Sequence, residues 1–255
     1  MIEMKTEAEV AVMREAGRVV ATVLHAVRDH AAAGTSLREL DDLAANMLAD
    51  AGAKSSFLNY HPNWAPMPYP GVLCTSVNDA VVHGIPTEYR LRDGDLMSVD
   101  FGASVDGWHG DAAISFVVGN AEQADLDLIA TAEEALAAGI AQARPGNRMG
   151  DIGHAIGVIG RAAGYGLTAD HGGHGIGRAM HEPPHVPNEA PPGKGLTLRA
   201  GMVFAIEPMF TAGGRDDYRY GEDGWTIHTI DGSRAAHVEH TVAVTEDGPR
   251  VLTVP

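Results

Sequence analysis

The sequence predicts an α+β fold of two pseudo-symmetric halves, each joining helix to antiparallel hairpin. Leu91–Asp100 aligns without a gap on Leu198–Glu207, and in both segments a glycine, Gly94 or Gly201, stands six residues before an acid that closes an apolar strand. Upstream, Gly34 and Gly52 are 18 residues apart, as are Gly146 and Gly164. Each pair encloses apolar residues at helical spacing, Leu37, Leu40 and Leu43 in one and Met149, Ile152 and Ile156 in the other. The copies are offset by 107 to 112 residues, far longer than a solenoid repeat. The pattern marks a duplicated unit, with halves at about 1–119 and 120–255 sharing the core of a single domain spanning 1–255.

Thr6 and Glu9 have capping-box spacing ahead of Val10, Met13, Val20, Leu24 and Val27, so the first helix is expected at about 7–31. Ser36 and Glu39 repeat the signal, and Gly52 suits the position just past a helix end, giving a second helix at 36–50. Four prolines and three aromatics over 60–71 read as an extended surface loop. Strands are expected near 71–77, 95–104 and 109–118. Asp106-Gly107 suits a two-residue type I′ turn, which opposes Val105 to Trp108 and Gly102 to Asp111. In that register Asp100 and Asp111 become diagonal neighbours on one face. Helices near 122–143 and 148–163, divided by Pro145-Gly146, open the second half. Strands near 172–180, 202–211, 224–230 and 237–245 follow, with a second proline-rich loop at 183–193.

Asp100 and Asp111 in the first half are matched by Glu207 and Glu239 in the second. Two carboxylates held close repel each other, and one is normally protonated unless a cation neutralises them. Four gathered by pseudo-symmetry almost require metal. His174 lies in His171-Gly172-Gly173-His174-Gly175-Ile176-Gly177, where glycines let the backbone approach a crowded site. Alone, it reads more readily as part of a flexible glycine loop. Beside four convergent acids it reads as a ligand.

With 18 basic and 34 acidic residues the formal charge is −16, which argues against a broad phosphate-binding surface and a nucleic-acid substrate. Residues 1–30 carry Glu3, Lys5, Glu7, Glu9, Arg14 and Glu15 where a secretory peptide needs an apolar stretch, and no run is long enough to span a bilayer. One cysteine, Cys74, cannot form an internal disulfide, which fits a reducing compartment. A soluble, cytoplasmic protein without a membrane partner is expected.

The chain also carries Asn78-Asp79-Ala80-Val81-Val82-His83-Gly84-Ile85-Pro86, Ile206-Glu207-Pro208-Met209, Gly224-Trp225-Thr226 and Val238-Glu239-His240-Thr241. Together with Asp100, Asp111 and Gly173-His174-Gly175-Ile176-Gly177, these motifs resemble the type I methionine aminopeptidases of the pita-bread metallopeptidase family over nearly the whole length. The resemblance implies the pita-bread fold, one curved sheet with helices on its outer face. It implies a monomer that removes the initiator methionine from nascent polypeptides with a small second residue, and it leaves a transient ribosome contact open. It also implies two divalent metal ions, Co, Mn, Fe or Zn, a choice the ligand types do not narrow. Asp111 and Glu239 would bridge them, Asp100 completing one site and His174 and Glu207 the other. Glu207 would take the proton of the attacking water, and His83 and His181 would contact the scissile peptide and its tetrahedral intermediate. Tyr60, Cys74 and Trp225 are implied around the pocket for the first side chain, where a thiol and aromatic rings suit a thioether. His61, His109, His171, His185 and His240 receive no role and are expected at the surface or behind the site.

Four positions depart from the family pattern. Met180 stands where phenylalanine is frequent and Phe57 where some members have cysteine, while Gly102 and Ala112 replace hydroxyl residues common just after the two aspartates. Two rival readings exist. An Xaa-Pro-directed aminopeptidase or prolidase of the same fold usually carries arginine two residues before the final glutamate, where this chain has His237. A catalytically silent binding module of the fold would have lost metal ligands, and all five are present here.

Overall fold

The computed structural model describes residues 2–255. Helix α1 (Glu7–His30) starts at a full capping box, in which Thr6 Oγ1 accepts from the Glu9 N–H and Glu9 Oε2 accepts from the Thr6 N–H. Its expected stripe of Val10, Met13, Val20, Leu24 and Val27 is buried. Ser36 and Glu39 make the second box at the head of α2 (Leu37–Asp50).

Five strands follow: β1 (Lys54–Ser55), β2 (Leu73–Val77), β3 (Ala80–Val82), β4 (Leu96–Val105) and β5 (Trp108–Val117). β4 and β5 turn through Asp106 and Gly107, whose φ values of +50° and +78° are those of a type I′ turn. Val105 therefore pairs with Trp108 and Gly102 with Asp111, as expected. Helices α3 (Gln123–Gln142) and α4 (Met149–Ala162) open the second half. After them run β6 (Gly166–Leu167), β7 (Gly172–Gly175), β8 (Glu182–Pro187), β9 (Val203–Ile206), β10 (Met209–Thr211), β11 (Tyr218–Tyr220), β12 (Ile227–Thr229), β13 (Ala235–His237), β14 (Glu239–Thr245) and β15 (Gly248–Val251).

Nine strands form one sheet in the order β1-β4-β5-β14-β9-β7-β8, with β2 also on β4 and β15 on β14. The pairs β4–β5 and β9–β14 meet where β5 runs antiparallel to β14, Ala113 opposite Glu239. Thr241 pins this seam, its Oγ1 accepting from the Asp111 N–H and donating to the Asp111 carbonyl. Each half keeps its own helices: α1 and α2 pack on Met97, Val99, Phe101 and Ala103, while α3 and α4 pack on Phe204, Ile206, Val242 and Val244. Side chains alternate across a strand, so Asp100 is turned to the face away from α1 and α2. No helix among the described residues is long and apolar enough to cross a membrane.

The structure redraws three sequence-based elements. The strand expected at 172–180 stops at Gly175, where the register with β8 breaks. The strand expected at 202–211 is divided into β9 and β10 by Glu207-Pro208, since proline has no N–H to give the ladder. Within the expected loop at 183–193, β8 pairs as the terminal strand of the sheet, the position where proline is tolerated. The loop at 60–71 stays irregular, yet Ala65 and Tyr69 are buried, so it is not only surface.

Candidate active site and metal centre

Asp100, Asp111, His174, Glu207 and Glu239 all line one cavity of about 410 Å³. β4 and β5 supply the aspartates, β7 the histidine and β14 Glu239, while Glu207 directly follows β9. Asp111, His174 and Glu239 offer ligand atoms within 4.8 Å of one another, as do Glu207, His237 and Glu239. His174 Nε2 lies 3.8 Å from Asp111 Oδ2 and 3.6 Å from Glu207 Oε1. Its Nδ1 sits 2.9 Å from the Gly175 carbonyl oxygen, which assigns the proton to Nδ1 and leaves Nε2 free to bind a cation.

Asp100 Oδ1, Asp111 Oδ1 and Glu239 Oε1 are buried without a hydrogen-bond partner among the described residues. An ionised carboxylate only accepts, so three orphaned oxygens in one cavity are costly unless something positive meets them. Burial first, and then the neighbouring acids, pushes Asp100 and Glu239 well above the ordinary carboxylate range. Burial lifts Asp111 to about 6, with His174 pulling against it. Glu207 goes the other way: burial opposes its ionisation, but His237, His174 and His181 together hold it below the usual glutamate value. This donor set, carboxylates with one free imidazole nitrogen, fits divalent cations, which would satisfy the orphaned oxygens and cancel their repulsion.

The other end of the cavity is apolar. Phe57, Tyr69, Cys74, Met180 and Trp225 form a buried cluster against which Tyr60 packs. Cys74 on β2 pairs directly with Asp100 on β4, so the apolar end abuts the acids. Burial, and after it the Asp100 charge, raises the Cys74 thiol well above its ordinary value, which makes it a small hydrophobe rather than a nucleophile. Trp225 Nε1 donates to the Met67 carbonyl at 3.0 Å, and its ring meets Tyr69 edge-on with centroids 5.1 Å apart.

His83 and His181 stand beside this floor. The His181 ring centroid is 4.2 Å from that of His174 and 5.2 Å from that of Tyr60. His83 has a left-handed backbone, φ +60°, fixed by the next residue: the Gly84 carbonyl accepts from the Thr75 N–H at 2.7 Å and the Gly84 N–H donates to Ser76 Oγ at 3.1 Å. Such strain persists only where surrounding structure enforces it. Burial lowers the His83 imidazole to about 4. His181 keeps a solvent-exposed edge, and the enclosing protein followed by His174 lowers it too. Both are therefore neutral donors near pH 7.

Trp64, Tyr69, His171, His185 and Met209 also line the cavity, and sequence analysis gave none of them a role. His185 is exposed, as expected, and His171 half-buried, yet both line the cavity, and the β7–β8 register sets His185 opposite His174. Tyr69 is buried, its hydroxyl 2.8 Å from the carbonyl oxygens of both Leu73 and Gly84. Aromatic density in the proline-rich loop was the available signal, but spacing cannot say which ring of an irregular loop turns inward.

Residues 11–246 match the model of metallopeptidase family M24. Methionine aminopeptidase 1 of Mycobacterium tuberculosis is 50% identical over 261 residues, covering 100% of this chain and 96% of the relative. Methionine aminopeptidase 1 of Bacillus subtilis is 42% identical over 253 residues, covering 99% of each. The crystal structure of methionine aminopeptidase from Thermotoga maritima superposes with a TM-score of 0.95 at 38% identity over 100% of both chains. Prolidase from Pyrococcus furiosus shares the fold, with a TM-score of 0.77 at 22% identity, over 99% of this chain and 65% of that one. The curled antiparallel sheet with its helices is thus the pita-bread fold of these structures. By the span of the family model and the identity of these relatives, the chain belongs to metallopeptidase family M24.

Proposed function

We propose that this chain is a metal-dependent aminopeptidase that removes N-terminal methionine from polypeptides whose second residue is small. The observation that carries the reading is the two-ended cavity: four acids and an imidazole at one end, and a thiol-and-aromatic pocket at the other. Such a pocket suits a thioether, because sulfur–aromatic contacts add roughly 0.3–1.5 kcal/mol to simple burial. The methionine aminopeptidase relatives agree with it.

Asp100, Asp111, His174, Glu207 and Glu239 would hold two divalent cations, Mn, Fe, Co or Zn, with Asp111 and Glu239 shared between them. When bound, such a pair lowers the pKa of water and polarises the substrate carbonyl. Glu207, the acid held ionised by its histidine neighbours, accepts the proton of the attacking water and hands it to the leaving amine. His83 and His181, neutral and beside the acids, donate N–H groups to the oxygen of the tetrahedral intermediate. Tyr60, Cys74 and Trp225 hold the first side chain. We further propose that the enzyme works as a cytoplasmic monomer on nascent chains, with any ribosome contact transient.

The deciding experiment adds each candidate metal to the purified metal-free protein and assays five peptides. Met-Ala-Ser and Met-Gly-type peptides are expected to be cleaved, Leu-Ala-Ser poorly, since a small change in an apolar side chain is worth only about 1–3 kcal/mol, and Met-Lys-Ser hardly at all. Faster cleavage of an Xaa-Pro peptide than of Met-Ala-Ser would replace this reading with the proline-directed one.

A further inference from the structure

We infer that His237 is the positioning residue of Glu207, presenting its Nε2–H to the Glu207 carboxylate and so fixing the group proposed above to carry the proton. The inference rests on that reading of Glu207. His237 ends β13 and is 2% exposed. Its Nε2 lies 3.4 Å from Glu207 Oε2 and 3.7 Å from Glu239 Oε2, and makes no aligned hydrogen bond among the described residues. A buried, unpartnered ring nitrogen aimed between two acids is an unsatisfied group of the kind that marks function.

The backbone holds the ring in this place. The His237 N–H is shared between Ser98 Oγ at 3.2 Å and Ser115 Oγ at 3.1 Å, and its carbonyl accepts from Ser115 Oγ at 2.7 Å. On the other side, β13 pairs His237 with Met209 of β10. Glu207 is the nearer acid and the one held ionised, so a bare lone pair at Nε2 would be repelled by it and an N–H attracted, which selects the tautomer protonated at Nε2. His174 differs because its Nδ1–H is already committed to the Gly175 carbonyl. A shift of a few tenths of an ångström brings 3.4 Å into the range of about 2.7–3.2 Å for such a bond.

Glu207 then lies between two imidazoles, with His174 Nε2 3.6 Å from Oε1 and His237 Nε2 3.4 Å from Oε2. The first has its proton on Nδ1 and faces the acids with a lone pair. The second faces them with a proton. His237 thus differs from His174 in role, orienting a carboxylate rather than offering a ligand.

The test compares wild type with His237→Gln, which keeps an N–H donor, and His237→Leu, which removes it. Three quantities are measured: Mn(II) affinity of the metal-free protein by calorimetry, kcat and KM on Met-Ala-Ser at saturating Mn(II), and the number of histidine nitrogens coupled to bound Mn(II) by pulsed EPR. The leucine variant is expected to lose about 10–100-fold in kcat and about tenfold in Mn(II) affinity, with KM within about twofold. Glutamine is expected to recover both to within about threefold, and the nitrogen count to stay the same in all three proteins. Wild-type kcat and Mn(II) affinity in the leucine variant, or equal damage in both variants, would overturn the inference. So would loss of a nitrogen coupling, because His237 would then be a ligand. If the leucine protein does not fold, His237→Asn, whose amide is too short to reach Glu207, takes its place. Failure of wild type on Met-Ala-Ser would sink the substrate reading alone, since the Mn(II) series still judges His237.

Discussion

The ring of Phe57 fills the space in front of Gly102. A Cβ added at Gly102 would meet Phe57 Cε1 and Ser56 Cβ at 2.9 Å and Asp111 Oδ1 at 3.2 Å. Both positions depart from the pattern of the family the sequence resembles, and the structure joins the two departures into one: a large residue at 57 and no side chain at 102. The same ring occupies the space from which a hydroxyl at position 102 would reach Asp111 Oδ1, an oxygen with no hydrogen-bond partner among the described residues.

Gly102→Ala is therefore expected to overpack the site and destabilise the protein by about 1–3 kcal/mol, and Phe57→Ala to leave a cavity. In the double variant the alanine at 102 should lose the part of its penalty due to Phe57 and keep the part due to Ser56, a coupling that thermal melts of the four proteins would read directly. Strictly additive losses would mean that the two positions do not share this space.

Asp111→Asn and Glu239→Gln are each expected to abolish activity and to lower bound metal, since each carboxylate is proposed to serve two cations at once. Both are 2% exposed with one oxygen unpartnered, so no nearby donor can substitute for the lost charge. Elemental analysis beside a turnover assay checks this. Wild-type turnover in either variant would remove that residue from the ligand set.

His83→Ala and His181→Ala are expected to lose about 10²-fold or more in kcat while retaining metal, the behaviour of donors that act mainly in the transition state. His181 lies next to a proposed ligand, its ring 4.2 Å from that of His174, which makes metal content the informative control. Parallel loss of metal and activity would move it into the ligand set.

Much of this site was legible because strand register is local. Asp106-Gly107 dictates a type I′ turn, the turn dictates that Gly102 faces Asp111, and pleat alternation then puts Asp100 on the face turned from the helices. The capping boxes at Thr6 and Ser36 are equally local. What spacing could not show is contact between remote segments. Tyr69 and Trp64 reach the cavity through an irregular loop, β8 forms in spite of three prolines because it is an edge, and His185 comes opposite His174 only through that strand. His237 was noted only as standing where the proline-directed rival has arginine, and its distance to Glu207 depends on how β13 pairs with β10, the strand that follows Glu207-Pro208.

Removal of metal should matter more as pH rises, and the sign follows from the acids of the cavity. Without a cation, burial holds Asp111 up at about 6 and Asp100 and Glu239 well above their ordinary values, so their folded-state pKa values exceed the unfolded ones. Such groups contribute stability that is fully present below the unfolded carboxylate range and is lost as pH rises through the folded values. His83 and His181, both lowered, have the opposite dependence and add stability as pH rises through their unfolded value of 6.5, but they do so in the metal-loaded and the metal-free protein alike and so cancel in the difference between the two. In the metal-loaded protein the cations compensate the same carboxylates, and tighter binding at higher pH adds stability. The gap in melting temperature between metal-loaded and metal-free protein should therefore widen from pH 6 to pH 8, and calorimetric titration with Mn(II) near pH 6 in buffers of different ionisation enthalpy should show proton release. A gap that stays constant or narrows, together with no proton release, would mean that these carboxylates are not the cation's ligands.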